Sequence, residues 1–332
     1  MTVTRADVAK RAGVSPSLVS YVLNDGPRPV SKEKRERILA AIGELGYRPD
    51  SVARQMRTGR SHLVGLVVPD LRMPYFAEIT QAISECATAA GYQLVVGSSG
   101  WDLSSARAQI DGLAVRKVDG LILMSVDPTQ AFEDVLPKSV QTLVIDRPEA
   151  TFRGAQVATQ HLIEHGHTRI GHVGGSGTVV AAARRSAGWR QAMADAGLVA
   201  RPDYQVETTY DMPGGFAAGT ALLGLDEPPT AIFVEVDTQA VGLLRAAFEL
   251  GVGVPGDLAI ATADGTELTR YSVPSLTTVA YPVRDLAAKA LTSVLERESL
   301  PVRRLSNSVF QLLRRESCGC DAADDAEQAV GV

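Results

Sequence analysis

Thr4-Arg5-Ala6-Asp7-Val8-Ala9-Lys10-Arg11-Ala12-Gly13-Val14-Ser15-Pro16-Ser17-Leu18-Val19-Ser20-Tyr21-Val22-Leu23-Asn24 is the stretch from which the organisation of the chain follows. Thr4 can cap a first helix, with Asp7 at its third position near the positive end of the helix dipole. Val8 and Ala12 lie four apart, on one face. Gly13 breaks that helix, and Gly13-Val14-Ser15 makes a three-residue turn. Ser15 then caps a second helix, with Pro16 at its first position, where an N–H would go unpaired anyway. Leu18, Val19, Val22 and Leu23 form its apolar stripe, which leaves Ser17, Ser20, Tyr21 and Asn24 outward. A third helix, capped by Ser31 and stopped at Gly46, brings Ile38, Ala41, Ile42 and Leu45 against the other two. Two short helices joined by a tight glycine turn suit insertion of the second into a DNA major groove. A plain small helical bundle satisfies the same spacing.

Charge separates this head from the rest. Residues 1–60 carry 12 basic and 6 acidic side chains, a net of +6, in a chain whose total is −5. A basic head on an acidic body points to a polyanion as partner of the head alone; a solvated helical surface is the alternative. At 332 residues, with 45% hydrophobic and 21% charged, the chain has room for two or three domains and for a sizeable core. Aliphatic runs such as 121–124 fall far short of the roughly 20 residues that span a bilayer. The first residues, with Arg5, Asp7, Lys10 and Arg11, lack the apolar centre of a secretory leader. Cys86, Cys318 and Cys320 are too few for a disulfide scaffold, so a reducing, cytoplasmic setting is expected.

Beyond the head, Asp50 can cap a helix of only about seven residues at 51–57, ended by Thr58-Gly59. Isolated helices shorter than roughly 12–15 residues are marginal in water, so this segment is expected to order only against DNA and a second copy of itself. The body then alternates. Strands are expected at 63–68, 93–96, 120–124, 142–145, 170–173, 231–234 and 258–262. Helices are expected at 76–90, 104–115, 156–165, 182–196, 215–223 and 239–250. Short apolar strands between amphipathic helices imply an α/β fold with parallel sheets covered on both faces. Ligands of such sheets bind at the carboxyl ends of strands.

The head motif, together with Leu45-Gly46-Tyr47-Arg48-Pro49, resembles the lactose/galactose-repressor (LacI/GalR) family of bacterial transcription regulators. The resemblance continues in order through Gly65-Leu66-Val67-Val68-Pro69-Asp70, Val118-Asp119-Gly120-Leu121-Ile122, His161-Leu162-Ile163-Glu164-His165-Gly166-His167, Gly188-Trp189 and Pro274-Ser275-Leu276-Thr277-Thr278-Val279. It implies a helix-turn-helix DNA-binding domain at 1–46, a hinge helix and linker at 47–60, and a two-lobed, periplasmic-binding-protein-like core at 61–320. Within that core, lobe 1 takes about 61–148 plus 283–306 and lobe 2 about 149–281 plus 307–320, with the lobes dividing near 148–154. A flexible tail is expected at 321–332. The implied function is a sequence-specific DNA-binding regulator, a repressor, whose affinity for a pseudo-palindromic operator is modulated by a small molecule held between the lobes. A sugar is one candidate effector. A homodimer is implied; no cofactor, metal or catalytic set is expected.

For DNA the resemblance implies Thr4, Ser15, Pro16, Ser17, Ser20, Tyr21, Asn24 and Arg28 in the head, and Val52, Ala53, Arg54, Met56 and Arg57 in the hinge. Met56 takes the place of the family's apolar wedge, which unstacks a base step in the minor groove. For the effector it implies Tyr75, Phe76, Asp146, Arg147, Arg185, Asp237, Asp264 and Tyr281. Arginine offers a planar fork for hydroxyls or carboxylates, and aspartate accepts from sugar or purine donors. Several positions depart from the family. Met73-Pro74-Tyr75-Phe76 stands where Asn-Pro-Phe-Phe is common, and Val236-Asp237 where Asn-Asp is usual. Asp264-Gly265 replaces Asp-Asp, and a strand after the first crossover is largely missing between Arg147 and Gly154. Tyr21 stands where an arginine often reads a base, so a shifted operator preference is expected.

A sugar-binding transport component and a doubly wound enzyme are the competing readings. The basic head opposes the first, and the absent dinucleotide and Walker fingerprints oppose the second. Gly174-Gly175-Ser176-Gly177 looks like a phosphate loop without the residues that would complete it. Cys318-Gly319-Cys320 has no second cysteine or histidine pair near it in the sequence and reads as a tail thiol pair rather than a zinc site. His161, His165, His167 and His172 read as packing and C-terminal helix charge.

Overall fold

The computed structural model describes residues 3–23, 29–48, 55–56, 58–124, 136–137, 139–146, 148–296, 302–306, 309–320 and 329–330. The chain divides into two compact units, Met1–Ser61 and His62–Val332.

The first unit is built of α1 (Arg5–Ala12), α2 (Pro16–Leu23) and α3 (Lys32–Leu45). Thr4 and Asp7 close a reciprocal capping box, with the Thr4 N–H donating to Asp7 Oδ2 at 2.9 Å. Gly13 ends α1 at φ 64°, a left-handed turn that a glycine adopts without a Cβ clash. The Leu18 N–H donates to Ser15 Oγ at 3.3 Å, which caps α2. Val8, Val19 and Ile38 are fully buried at the centre of the unit, joined by Ala9, Ala12, Val22 and Ala41. Each of the three contributes about 1.5–3 kcal/mol by leaving water.

The second unit holds two sheets. The first contains β1 (Leu63–Val68), β2 (Gln93–Ser98), β3 (Gly120–Met124), β4 (Thr142–Asp146) and β10 (Val302–Ser306), ordered β10-β4-β3-β1-β2 and wholly parallel. The second contains β5 (Ile170–Gly174), β6 (Gln205–Glu207), β7 (Ala231–Val234), β8 (Ala259–Asp264), β9 (Thr277–Ala280), β11 (Phe310–Leu313) and β12 (Ala329–Val330), ordered β12-β11-β9-β8-β7-β5-β6. Its first five strands in the chain are parallel; β11 pairs antiparallel with β9, and β12 antiparallel with β11. β3 and β7 are buried along their whole length, the mark of strands covered on both faces. The covering helices are α4 (Pro74–Ala89), α5 (Leu103–Val115), α6 (Pro148–Glu164), α7 (Val180–Asp195), α8 (Met212–Leu223), α9 (Asp237–Glu249), the short α10 (Leu268–Tyr271) and α11 (Val283–Leu295). The chain passes between the two sheets after β4, after β9 and after β10, so each lobe is discontinuous in sequence.

Several expectations need correction. The helix expected from Gln156 begins at Pro148, because proline suits the first turn, and the residues near which the lobes are expected to divide, 148–154, form its first two turns. Gly154 within it faces Val279 Cγ1 and the Tyr281 hydroxyl, where an added Cβ would sit 3.1 and 3.2 Å away; the glycine marks a close approach rather than a turn. The strand expected at 93–96 runs on to Ser98. β6, β9, β10 and β11 had no place in the expected pattern, because they are short or carry residues such as Thr277, Thr278 and Arg303 in place of an apolar run. Within the tail expected at 321–332, the two described residues, Ala329 and Val330, form β12, which pairs with β11.

Candidate functional site

In the first unit, α2 presents its N-terminal polar face outward. Thr4, Ser15, Pro16 and Ser17 are exposed, while Ser20 and Tyr21 are half-buried. Asn24, Arg28, Val52, Ala53, Arg54 and Arg57 lie outside the described residues. Met56 is helical, with 84% of its surface exposed, and the Gly59 N–H donates to the Gln55 carbonyl at 2.8 Å. An exposed, unbranched apolar side chain is what a wedge between bases needs.

In the second unit, the order of each sheet reverses at one strand. β2 and β3 flank β1, and β6 and β7 flank β5. At such points successive crossovers leave to opposite sides and open a crevice at the carboxyl ends. The two crevices form one cleft of about 550 Å³. The chain leaving β1 supplies Asp70, Arg72 and Met73, and Trp101 follows β2. The chain leaving β5 supplies Gly175, Ser176 and Val179, and the turn after β6 supplies Thr208, Thr209, Tyr210 and Asp211. Thr238 near the start of α9 completes this wall. Trp101 and Tyr210 meet across the cleft with ring centroids 5.8 Å apart. Phe76 packs edge-on behind Trp101 at 6.0 Å, and Tyr75 links Phe76 to Tyr281.

A buried polar cluster lies behind Tyr210. Its hydroxyl donates to Glu235 Oε2 at 2.8 Å, the Gly175 N–H donates to the same oxygen at 3.1 Å, and His172 Nε2 lies 3.0 Å from Glu235 Oε1. Burial and the neighbouring Glu235 hold the Tyr210 phenol well above its ordinary range, so it remains a neutral donor. Arg185 Nη2 donates to Asp264 Oδ1 at 2.9 Å, both side chains being buried. Burial opposes the charge on Arg185, but Asp264, with Tyr210, Tyr281 and Glu235 nearby, outweighs it and holds the guanidinium above its ordinary value. Arg185 Nε has no partner among the described residues. At the rim, Arg72 clamps Asp70 with Nε and Nη2, the latter 2.7 Å from Oδ2, and these bonds keep Asp70 below the usual carboxylate range. The lobes are latched where the Glu267 N–H donates to Glu78 Oε1 of α4 at 3.0 Å, and burial pushes Glu78 up.

The eight residues expected at the effector divide accordingly. Arg185 and Asp264 form one ion pair behind the cleft, and Tyr75, Phe76 and Tyr281 form the aromatic packing beneath it. None of these five is among the residues lining the open cleft. Asp146 ends β4 at the first crossover, and Arg147 lies outside the described residues. Asp237 faces inward: Thr266 donates to its Oδ2 from both N–H and hydroxyl at 2.7 Å, and Thr262 and Thr278 donate to Oδ1 at 3.2 and 3.3 Å. Its neighbour Thr238 is the one that reaches the cleft. Sequence reasoning missed Trp101, Tyr210, Glu235 and the Asp70–Arg72 clamp. A signal existed for Glu235 and Asp70, since each charged residue directly follows or nearly follows an apolar strand. The glycine-rich stretch once compared with a phosphate loop supplies Gly175 and Ser176 to the cleft wall.

Comparison with known proteins accounts for both units. The family "Bacterial regulatory proteins, lacI family" matches residues 4–50, and "Periplasmic binding protein-like domain" matches 159–318. The HTH-type transcriptional repressor PurR of Erwinia tasmaniensis is 34% identical over 307 residues, covering 89% of this chain and 90% of the relative. This chain belongs to the LacI family. Catabolite control protein A of Priestia megaterium, 33% identical over 336 residues, covers 95% of the chain and 98% of its own length. The lac repressor dimer bound to operator and the anti-inducer ONPF superposes with a TM-score of 0.80 at 27% identity, over 96% of this chain and 99% of that one. As a LacI-family member the chain is a DNA-binding transcriptional regulator with an effector-binding core. Among the described residues, no helix is long and apolar enough to cross a membrane.

Proposed function

We propose that this regulator acts in the cytoplasm as a homodimeric repressor, reading a pseudo-palindromic operator through Ser17, Ser20, Tyr21 and Asn24, with Met56 wedged at the operator centre. A small molecule seated in the cleft that Trp101 and Tyr210 wall sets how firmly it holds. The observation that carries this reading is the position of the cleft, which lies where both sheets reverse and is walled by both lobes, so that an occupant touches each. The aromatic faces of Trp101 and Tyr210 suit the C–H face of a sugar or a flat heterocycle. Asp70, Asp211, Thr208, Thr209 and Ser176 supply acceptors and hydroxyls around it. The buried Arg185–Asp264 pair lies behind Tyr210 and supports that wall. No catalytic step is assigned to the chain.

The test is a gel shift with fragments of the native promoter and scrambled duplex, each with and without metabolites found by thermal shift among sugars, polyols, nucleosides and carboxylates. Operator binding is expected to be roughly 10³-fold or more tighter than binding to scrambled DNA. Tyr21→Ala is expected to remove about 1–3 kcal/mol of that discrimination. Equal affinity for both duplexes under every condition would reject the reading.

A further inference from the structure

The C-terminal end of α6 and the segment after β11 bring together four side chains that the sequence holds far apart. His161 and His165 lie one helical turn apart, the His165 N–H donating to the His161 carbonyl at 3.2 Å. Both rings therefore project from one face, their centroids 4.6 Å apart. The chain leaving β11 enters a short 3₁₀ turn, Glu316–Cys318, and Gly319 follows at φ 87°. That left-handed step, natural to glycine, brings Cys320 back beside Cys318 despite the single residue between them. His161 Nε2 lies 3.2 Å from Cys318 Sγ and 3.7 Å from Cys320 Sγ; His165 Nε2 lies 3.4 Å from Cys320 Sγ. All four ligand atoms fall within 4.8 Å of one another. This corrects the expectation of an isolated tail thiol pair and of histidines that serve packing alone.

The geometry points to a structural zinc site formed by His161, His165, Cys318 and Cys320. Zinc binds imidazole at about 2.0–2.1 Å and thiolate at about 2.3 Å in a tetrahedron, whose nitrogen–sulfur edges are then about 3.6 Å. The three nitrogen–sulfur distances fall around that edge. Two imidazoles and two thiolates suit zinc among the divalent metals of the first row better than calcium or magnesium, which take oxygen. The charges also match. Zinc with two thiolates and two neutral rings has no net charge, so the buried half of the site, His161 and Cys318, encloses no uncompensated ion. His165 is exposed and Cys320 half-buried, which leaves a route for the metal to enter. The Thr277 hydroxyl, 3.0 Å from Cys318 Sγ, stands ready to donate to a thiolate. Binding releases the two thiol protons to solvent and staples the first helix of one lobe to the last turn of the chain that returns to it.

Full-length protein, reduced and stripped by chelation, is titrated with zinc and with cobalt(II). About one metal per chain is expected, with tetrahedral cobalt absorption, thiolate-to-cobalt charge transfer, and a zinc-dependent rise in Tm. Cys320→Ser and His165→Ala, both away from the buried half, are expected to fold with unchanged circular dichroism and to bind zinc at least about 10–100-fold more weakly. Cobalt without charge transfer, a Tm indifferent to zinc, or variants that bind as tightly as the parent would overturn the assignment. Should a variant fail to fold, the cobalt spectrum of the parent decides the matter alone.

Discussion

Asp237 shows how a residue can occupy a functional position and serve the fold. Its oxygens accept from Thr262, Thr266 and Thr278, and no cation pairs with it at the first turn of α9 among the contacts that hold it. Burial, with the nearby Asp264 charge, pushes its carboxyl up to about 8. An unfolded aspartate titrates near about 3.9, so between roughly pH 4 and 8 the unfolded chain has released a proton that the folded chain keeps. That group therefore makes stability fall as pH rises through this window, by at most about 1.4 kcal/mol per pH unit. Asp237→Asn removes the difference. Urea midpoints of parent and variant at several pH values are expected to converge toward the acid end and to favour the variant near neutrality; a constant gap would show the carboxyl ionised throughout.

At the scale of elements, the helices of lobe 2 pack so closely that glycine is required between them. A Cβ at Gly188 on α7 would meet the Phe152 carbonyl of α6 at 2.2 Å, backbone that has little room to give. Gly188→Ala is expected to cost about 1–3 kcal/mol, a fall in Tm of several degrees by calorimetry. Gly112 on α5 faces only the end of the Arg116 side chain, 3.4 Å from an added Cβ. Gly112→Ala is expected to gain roughly 0.5–1 kcal/mol through helix propensity. The sequence made elements legible where a local signal was strong. α2 announced itself through Ser15-Pro16 and its apolar stripe, and β1, β3 and β7 through unbroken aliphatic runs. It concealed β9, whose buried residues include Thr277 and Thr278, and the first two turns of α6, ahead of the expected start at Gln156. The cleft was legible only as a location. Trp101 and Tyr210 meet through tertiary packing across more than a hundred residues of chain, and His161 and Cys318 are 157 apart. No spacing rule reaches that far.

For the molecule as a whole, the three passages between lobes mean that whatever fills the cleft bears on both halves at once. An effector that favours one arrangement of the lobes, and an operator that favours one arrangement of the dimer, must alter each other's affinity by the same factor. Calorimetric titration of the effector into free and operator-bound protein, set beside operator titrations with and without effector, is expected to return equal ratios. Unequal ratios would mean that a further species, such as a change in oligomeric state, takes part.

The seven-stranded sheet ends on one side in β6, three residues long, and on the other in β12, two residues long. An edge that short gives a foreign strand too few backbone groups to zip onto. β12 covers the outer edge of β11 through Ala329 and Val330, so removing those two residues would bare the backbone groups of Phe310 and Gln311 to a foreign strand.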